Sequence, residues 1–265
     1  SVYITSNGAF PDRVEALARA VATEFPDRSL IVSLSLDAFP AEHDAIRKVD
    51  GLFDKAVATY RALRGVGGNV TPNVGITVSH ENHQTVPDLY RALRDDYGIR
   101  AVTAIIVRDE GVYEVPEADR AAVLSAYRWL TSTIVEDQRT GRLEGYDEAT
   151  LLGRLMNRKN ELLWDIVADT YLDPHFVSTC YAGSLFGVVD TDGTVHPCEV
   201  LDRPIGNLRD VGMDLGALWR SAPARDTASW IKDSNCNCSY ECAWGFNILG
   251  NARYQPQLLA AALKR

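Results

Sequence analysis

The five cysteines are the residues of this chain best suited to chemistry. They are Cys180, Cys198, Cys236, Cys238 and Cys242, spaced C-x17-C and then, after a gap, C-x-C-x3-C, all in the last third of 265 residues. An odd count does not suit a disulfide framework. The N-terminus, Ser1-Val2-Tyr3-Ile4-Thr5, has no basic region followed by an apolar stretch and a small-residue cleavage site, so nothing marks the chain for export and a cytoplasmic address follows by default. Thiolates are soft ligands, and loops held by a hairpin bring sequence-distant sulfurs onto one tetrahedral or cubane site. Buried free cysteines would sit among apolar runs rather than in Asn235-Cys236-Asn237-Cys238-Ser239. Metal binding is the economical reading. Structural zinc usually shows C-x2-C pairs and this chain has none, which favours iron-sulfur and leaves zinc open.

The elements that must hold these thiols are short. Asp192-Gly193 lies between the β-prone runs Phe186 to Val189 and Thr194-Val195, a hairpin signal because glycine tolerates the positive φ of a tight turn. His196, two residues before Cys198, could bond a cluster sulfur or serve as a hairpin side chain, and the second is favoured. Trp219, Trp230 and Trp244 flank the cysteines and are expected to pack a small core.

Upstream, strand-like and helix-like segments alternate, the sign of parallel βαβ units. Strands are expected at Val2 to Thr5, Ser29 to Leu36, Val70 to Ser79 and Arg100 to Val107. Between them, Val14, Leu17, Ala18, Val21 and Phe25 fall at helical spacing behind Pro11, and Leu52, Phe53, Ala56, Val57, Tyr60 and Leu63 form a stripe that stops at Gly65 to Gly68. A third helix is expected from Val86 to Tyr97. Four such units alone leave a sheet edge open, so further structure is expected beside them. After Pro116 the pattern is helical. The division is then a parallel α/β body over 1–115, a helical connector over 116–175 and a small Cys-rich domain over 176–265.

Composition bounds the function. The chain has 46% hydrophobic and 24% charged residues, which suits a folded globular protein, and a net charge of −9 with no Lys/Arg cluster, which argues against nucleic acid. Its apolar stretches, such as Ala101 to Val107, fall well short of the roughly 20 residues of a membrane span.

The ordered motifs resemble one family. Cys180, twelve residues, Gly193, four residues and Cys198, followed by a knot ending in a C-x3-C step, is similar to the auxiliary-cluster region of radical S-adenosylmethionine (SAM) enzymes of the SPASM/twitch group. Ile205-Gly206-Asn207-Leu208 matches an element that follows the cluster cysteine there. In the first half, Ile4-Thr5-Ser6-Asn7-Gly8 resembles the family's third barrel strand, Val32 to Asp37 its fourth, His43-Asp44-Ala45-Ile46-Arg47 the following His-Asp-x-x-Arg, and Ile76 to Asn82 its fifth strand with its Asn. The resemblance implies a partial parallel (β/α)6-type barrel, of which the last four strands are present, with a small C-terminal auxiliary cluster domain.

It also implies roles. Ser35 would contact the SAM ribose or carboxylate, Arg47 would pair with the SAM carboxylate, and Asp37 and Asn82 would bind the cofactor or else cap and turn their own loops. Cys180, Cys198 and Cys242 would ligate one auxiliary 4Fe-4S cluster, completed by Cys236 or Cys238. The family's C-x3-C-x2-C loop for the catalytic 4Fe-4S cluster and its Gly-Gly-Glu-Pro segment are not in these residues and would precede residue 1. The activity implied is reductive cleavage of SAM to a 5′-deoxyadenosyl radical that abstracts hydrogen from a peptide or small-molecule substrate, with flavodoxin or ferredoxin as reductant and no nucleic-acid or membrane partner. A non-catalytic zinc- or iron-sulfur-binding α/β partner, or an electron-transfer subunit, is the alternative.

Overall fold

The computed structural model describes residues 1–108 and 114–264, which divide into two compact units, one of residues 1–108 and 114–145 and one of 146–264. The first unit runs β1 (Val2–Ser6), α1 (Pro11–Glu24), β2 (Leu30–Ser35), α2 (Pro40–Arg47), α3 (Leu52–Val66), β3 (Val70–Val78), α4 (Val86–Asp95), β4 (Val102–Ile106) and α5 (Glu117–Arg139). All four expected strands form. They pair in parallel in the order β1-β2-β3-β4.

That order has a consequence for function. Parallel crossovers are right-handed, so a sheet whose strands follow each other in sequence carries its connecting helices on one face. Accordingly α3 packs on β2 and β3, and α5 on β3 and β4. Leu30, Val32 and Leu34, then Val74, Ile76 and Val78, then Val102, Ala104 and Ile106 form the buried apolar side of the strands. Against them lie Phe53, Tyr60 and Leu63 of α3 and Val123, Tyr127 and Leu130 of α5, all nearly inaccessible. Asp137, 1% exposed, ties α5 to α4 by accepting from Tyr90 Oη at 2.6 Å and pairing with Arg94, and it pairs with Arg142 Nε at 2.9 Å. Burial and the neighbouring Asp137 push the Tyr90 phenol well up from its ordinary range.

The second unit runs α6 (Leu151–Thr170), β5 (Val188–Val189), β6 (Thr194–His196), β7 (Gly206–Asn207), a 3-10 turn at Leu208–Val211, α7 (Leu215–Trp219), α8 (Ala222–Asp233), α9 (Glu241–Gly250) and α10 (Gln255–Leu263). The stretch expected as a connector is two helices, α5 in the first unit and α6 in the second. The Asp192-Gly193 hairpin forms: Val189 faces Val195, Gly193 N donates to Asp190 O at 2.9 Å, and Gly193 takes φ 91°. Val195, Ile205, Leu208, Leu218 and Ala224 make a small core with Trp219 packed on it.

One tryptophan departs from expectation. Trp244 is 3% exposed, but Trp230 is 40% exposed and lies beneath the Arg203 guanidinium, 4.1 Å from the ring centre. The stripe of α8 that faces inward is Ala224, Thr227 and Ile231, and Trp230 falls outside it. Among the described residues no helix is long and apolar enough to cross a membrane.

Candidate functional site

With the helices on one side, the other face of the sheet presents the alternate residues of each strand. Register sets Thr5 opposite Ser33 and Ser33 opposite Asn73, then Ser35 opposite Gly75 and Gly75 opposite Thr103. Side chains join this row: Asn73 Nδ2 donates to Ser33 Oγ at 3.1 Å, and Thr103 Oγ1 donates to Asn73 Oδ1 at 3.3 Å. A Cβ at Gly75 would stand 3.3 Å from Ser33 Oγ, so glycine keeps the backbone of β3 bare on this face. A parallel sheet ordinarily buries apolar residues on both sides, and this one carries hydroxyls and an amide on one. Sequence reading missed Ser33, Asn73 and Thr103. Their signal is a polar residue at alternate positions of otherwise apolar strands, visible only once register lines them up.

The C-terminal strand ends, where ligands of such sheets gather, hold the residues expected to bind the cofactor. Ser35 is the last residue of β2. Asp37, just beyond it and 8% exposed, accepts from Thr77 N at 2.8 Å through Oδ1 and pairs with Arg47 through Oδ2. Arg47 closes α2 with 37% of its side chain exposed. Asn82, 3% exposed, donates through Nδ2 to Asp37 O and Thr77 O, both at 2.7 Å, and accepts from Ser79 N at 2.8 Å. The structure therefore brings Asp37, Arg47 and Asn82 into one network that fixes the β2 and β3 loops against each other. Both amide hydrogens of Asn82 are spent on backbone carbonyls.

The His-Asp pair on α2 has separate tasks. Asp44 accepts from Gly51 N at 2.6 Å and Phe53 N at 3.0 Å, which seats the start of α3 and holds its carboxyl below the usual range, the Phe53 amide contributing most. His43 is 1% exposed, meets Phe53 edge-on at 6.0 Å, and neither ring nitrogen has a hydrogen-bond partner among the described residues. Burial pushes its pKa below 6.5; Arg47 acts in the same sense, and Asp37 and Asp44 oppose. Below pH 6.5 the unfolded chain thus takes a proton that the folded chain refuses until its lower pKa is reached, so stability falls as pH drops through that window. His43→Leu should flatten the acid limb of a stability-against-pH curve between pH 7 and 5 by up to about 1.4 kcal/mol per pH unit. Parallel curves for the two proteins would remove the assignment.

In the second unit, Cys180, Cys198, Cys236 and Cys238 are half-buried, Cys242 is exposed, and none forms a disulfide. Among the described residues no three Cys, His, Asp or Glu side chains converge on a single-ion site. A four-iron cluster takes each thiolate on a separate iron, so its ligands stand further apart than those of one ion, and an all-thiol donor set suits it. Cys242 lies in the first turn of α9, and Trp244 Nε1 donates to Cys238 O at 2.8 Å, fixing the knot. Tyr240 donates to Glu199 beside Cys198, and burial together with that carboxylate pushes its phenol well up. His196 Nε2 lies 3.3 Å from Asp190 Oδ2 across the hairpin. A cleft of about 160 Å³ runs beside Cys198, Asp190 and Glu199. Burial also pushes the Lys159 ammonium of α6 down to about 8, with Cys242 pulling the other way.

Residues 180–243 match the family model SPASM, described as an iron-sulfur cluster-binding domain. The matched stretch lies within the second unit. Solved structures share the fold. Native anSMEcpe with bound AdoMet superposes at TM-score 0.55 with 18% identity, covering 98% of this chain and 74% of that one. Native anSMEcpe with bound AdoMet and Kp18Cys peptide gives 0.54 with 18% identity, covering 98% and 75%. No curated protein sequence matches the chain. At this level of identity the likeness is one of fold: a parallel sheet followed by the region that matches the SPASM model. All five cysteines lie within the matched residues.

Proposed function

We propose that this chain serves a radical SAM enzyme that acts on a peptide, with SAM held on the polar sheet face and one auxiliary 4Fe-4S cluster in the SPASM domain. One observation carries the reading: a singly wound parallel sheet with a hydrogen-bonded polar row on the face its crossover helices leave, in a chain whose residues 180–243 match the SPASM model. The structural neighbours support it, since one holds AdoMet and another both AdoMet and a peptide.

When bound, SAM and a reduced 4Fe-4S cluster supply a 5′-deoxyadenosyl radical that takes a hydrogen atom from substrate, chemistry that belongs to the cofactors. The residues bind and orient. Ser35 offers a hydroxyl at the end of β2 to the SAM ribose or carboxylate. Arg47 offers a planar donor fork, and its exposed part suits the SAM carboxylate. Asp37 aims that fork, and Asn82 holds the Asp37 carbonyl against the β3 end. Cys180, Cys198 and Cys242, with Cys236 or Cys238, hold the auxiliary cluster, and a flavodoxin or ferredoxin is the reductant.

The deciding experiment is anaerobic purification of the complete native reading frame, with iron, sulfide and zinc quantified and SAM added under dithionite. About eight irons per chain, absorbance near 400 nm and release of 5′-deoxyadenosine are expected. Zinc without iron, or iron without SAM cleavage, would sink the proposal.

A further inference from the structure

Cys180 lies in neither a helix nor a strand, so something else must hold its sulfur in place. Asn247 does so. The residue is 2% exposed, its Oδ1 accepts from Tyr181 N at 2.8 Å, and its Nδ2 stands 3.5 Å from Cys180 Sγ. Because a backbone N–H can only donate, the amide oxygen is committed to Tyr181 and the nitrogen must be the atom that meets the sulfur. The same amide therefore grips two successive residues of one loop. Asn247 also lies on α9, five residues after Cys242, so one helix carries a thiol and a donor to another thiol distant in sequence.

An N–H pointed at a thiolate favours the state with more negative charge on sulfur. A cluster ligated by Cys180 gains one electron on reduction, and that charge spreads onto its sulfurs, so a buried donor stabilises the reduced form and raises the potential. We propose that Asn247 is a positioning residue for the auxiliary cluster, fixing Cys180 and setting the reduction potential through its amide N–H. This rests on the reading of Cys180 as a cluster ligand.

The test is a dye-mediated redox titration of the anaerobically prepared complete protein, followed by electron paramagnetic resonance, for wild type, Asn247→Asp and Asn247→Ser. Asp keeps an acceptor for Tyr181 and loses the donor, but adds a charge. Ser is neutral and too short to reach the sulfur, so it separates the lost hydrogen bond from the added charge and also decides the matter if Asp disturbs folding. At a fixed potential, the ratio of reduced to oxidised auxiliary cluster is expected to fall about tenfold in the Ser variant, a shift of about 59 mV for one electron, and further in Asp. Iron content and circular dichroism should stay at wild-type values. An unchanged ratio in the Ser variant with iron retained overturns the role of Asn247 and leaves Cys180 a ligand. A wild-type protein without iron overturns the ligand reading and this inference with it.

Discussion

Asp37→Ala should destabilise the first unit by about 3 kcal/mol and weaken SAM binding with it. The carboxylate makes two contacts. Oδ1 accepts the Thr77 amide at the end of β3, and Oδ2 pairs with Arg47 at the end of α2. Truncation leaves a largely buried N–H unmet, at roughly 1–3 kcal/mol, and removes a charge-assisted bond of roughly 1.5–3 kcal/mol. Arg47 is partly exposed and recovers some of this by rehydrating, which keeps the sum near the middle of the range. Asp37→Asn keeps an acceptor for Thr77 and should cost about 1 kcal/mol, while still releasing Arg47 from its ionic partner. Urea unfolding and calorimetry with SAM separate the two effects. If the Asn variant folds normally and binds SAM as the parent does, Asp37 serves the loops alone. An unaltered urea midpoint in the Ala variant would show that Thr77 and Arg47 find other partners.

The strands and long helices were legible because their apolar residues repeat at the right period over enough length. Val70 to Ser79 alternates inward residues, and Leu52 to Leu63 keeps a stripe over three turns, so both came out close to their observed bounds. Helix α2 is eight residues with only His43 buried, too short for periodicity to declare itself, although its His-Asp-x-x-Arg spacing stood out as a motif. Trp230 was expected inside on its residue type. Which stripe of α8 turns inward depends on the hairpin core it meets, and that is a tertiary fact.

The same division runs through the candidate site. Cysteine spacing is local information, so the likeness to SPASM that the family model also finds could be read from Cys180, Gly193, Cys198 and Cys242. The polar row Thr5, Ser33, Asn73, Thr103 draws on four strands, and no spacing along the chain unites it before register is known. Asn247 is likewise hidden, since it faces a sulfur 67 positions earlier. Asp37 and Asn82 were singled out for the cofactor with loop capping as the other possibility, and their hydrogen bonds show how one residue can shape a site from behind it.

Gly8→Ala should cost about 3 kcal/mol, although the added group is a single methyl. Gly8 follows β1 in the Thr-Ser-Asn-Gly turn and takes φ 73°, a conformation that costs other residues roughly 1–2 kcal/mol. A Cβ there would stand 2.7 Å from Ala56 Cα and 2.9 Å from Ala56 Cβ. The obstacle is the backbone of α3, which cannot swing aside as a flexible side chain would, so overpacking adds roughly 1–3 kcal/mol. Close approach here lets Thr59 Oγ1, itself fully buried, donate to Gly8 O at 3.1 Å and pin the end of β1 to α3. Displacing that turn would also move Asn7, whose Oδ1 accepts from Ala9 N, just beyond the end of β1, which pairs with β2. The variant should therefore show a lower urea midpoint and weaker SAM binding together. Gly51→Ala is the control for φ alone, because Gly51 shares the left-handed conformation at φ 68° and a Cβ there meets nothing within 4 Å. Its cost should stay near 1 kcal/mol with SAM binding unchanged. Equal losses in the two variants would mean that backbone conformation, and not the contact with α3, is what Gly8 supplies.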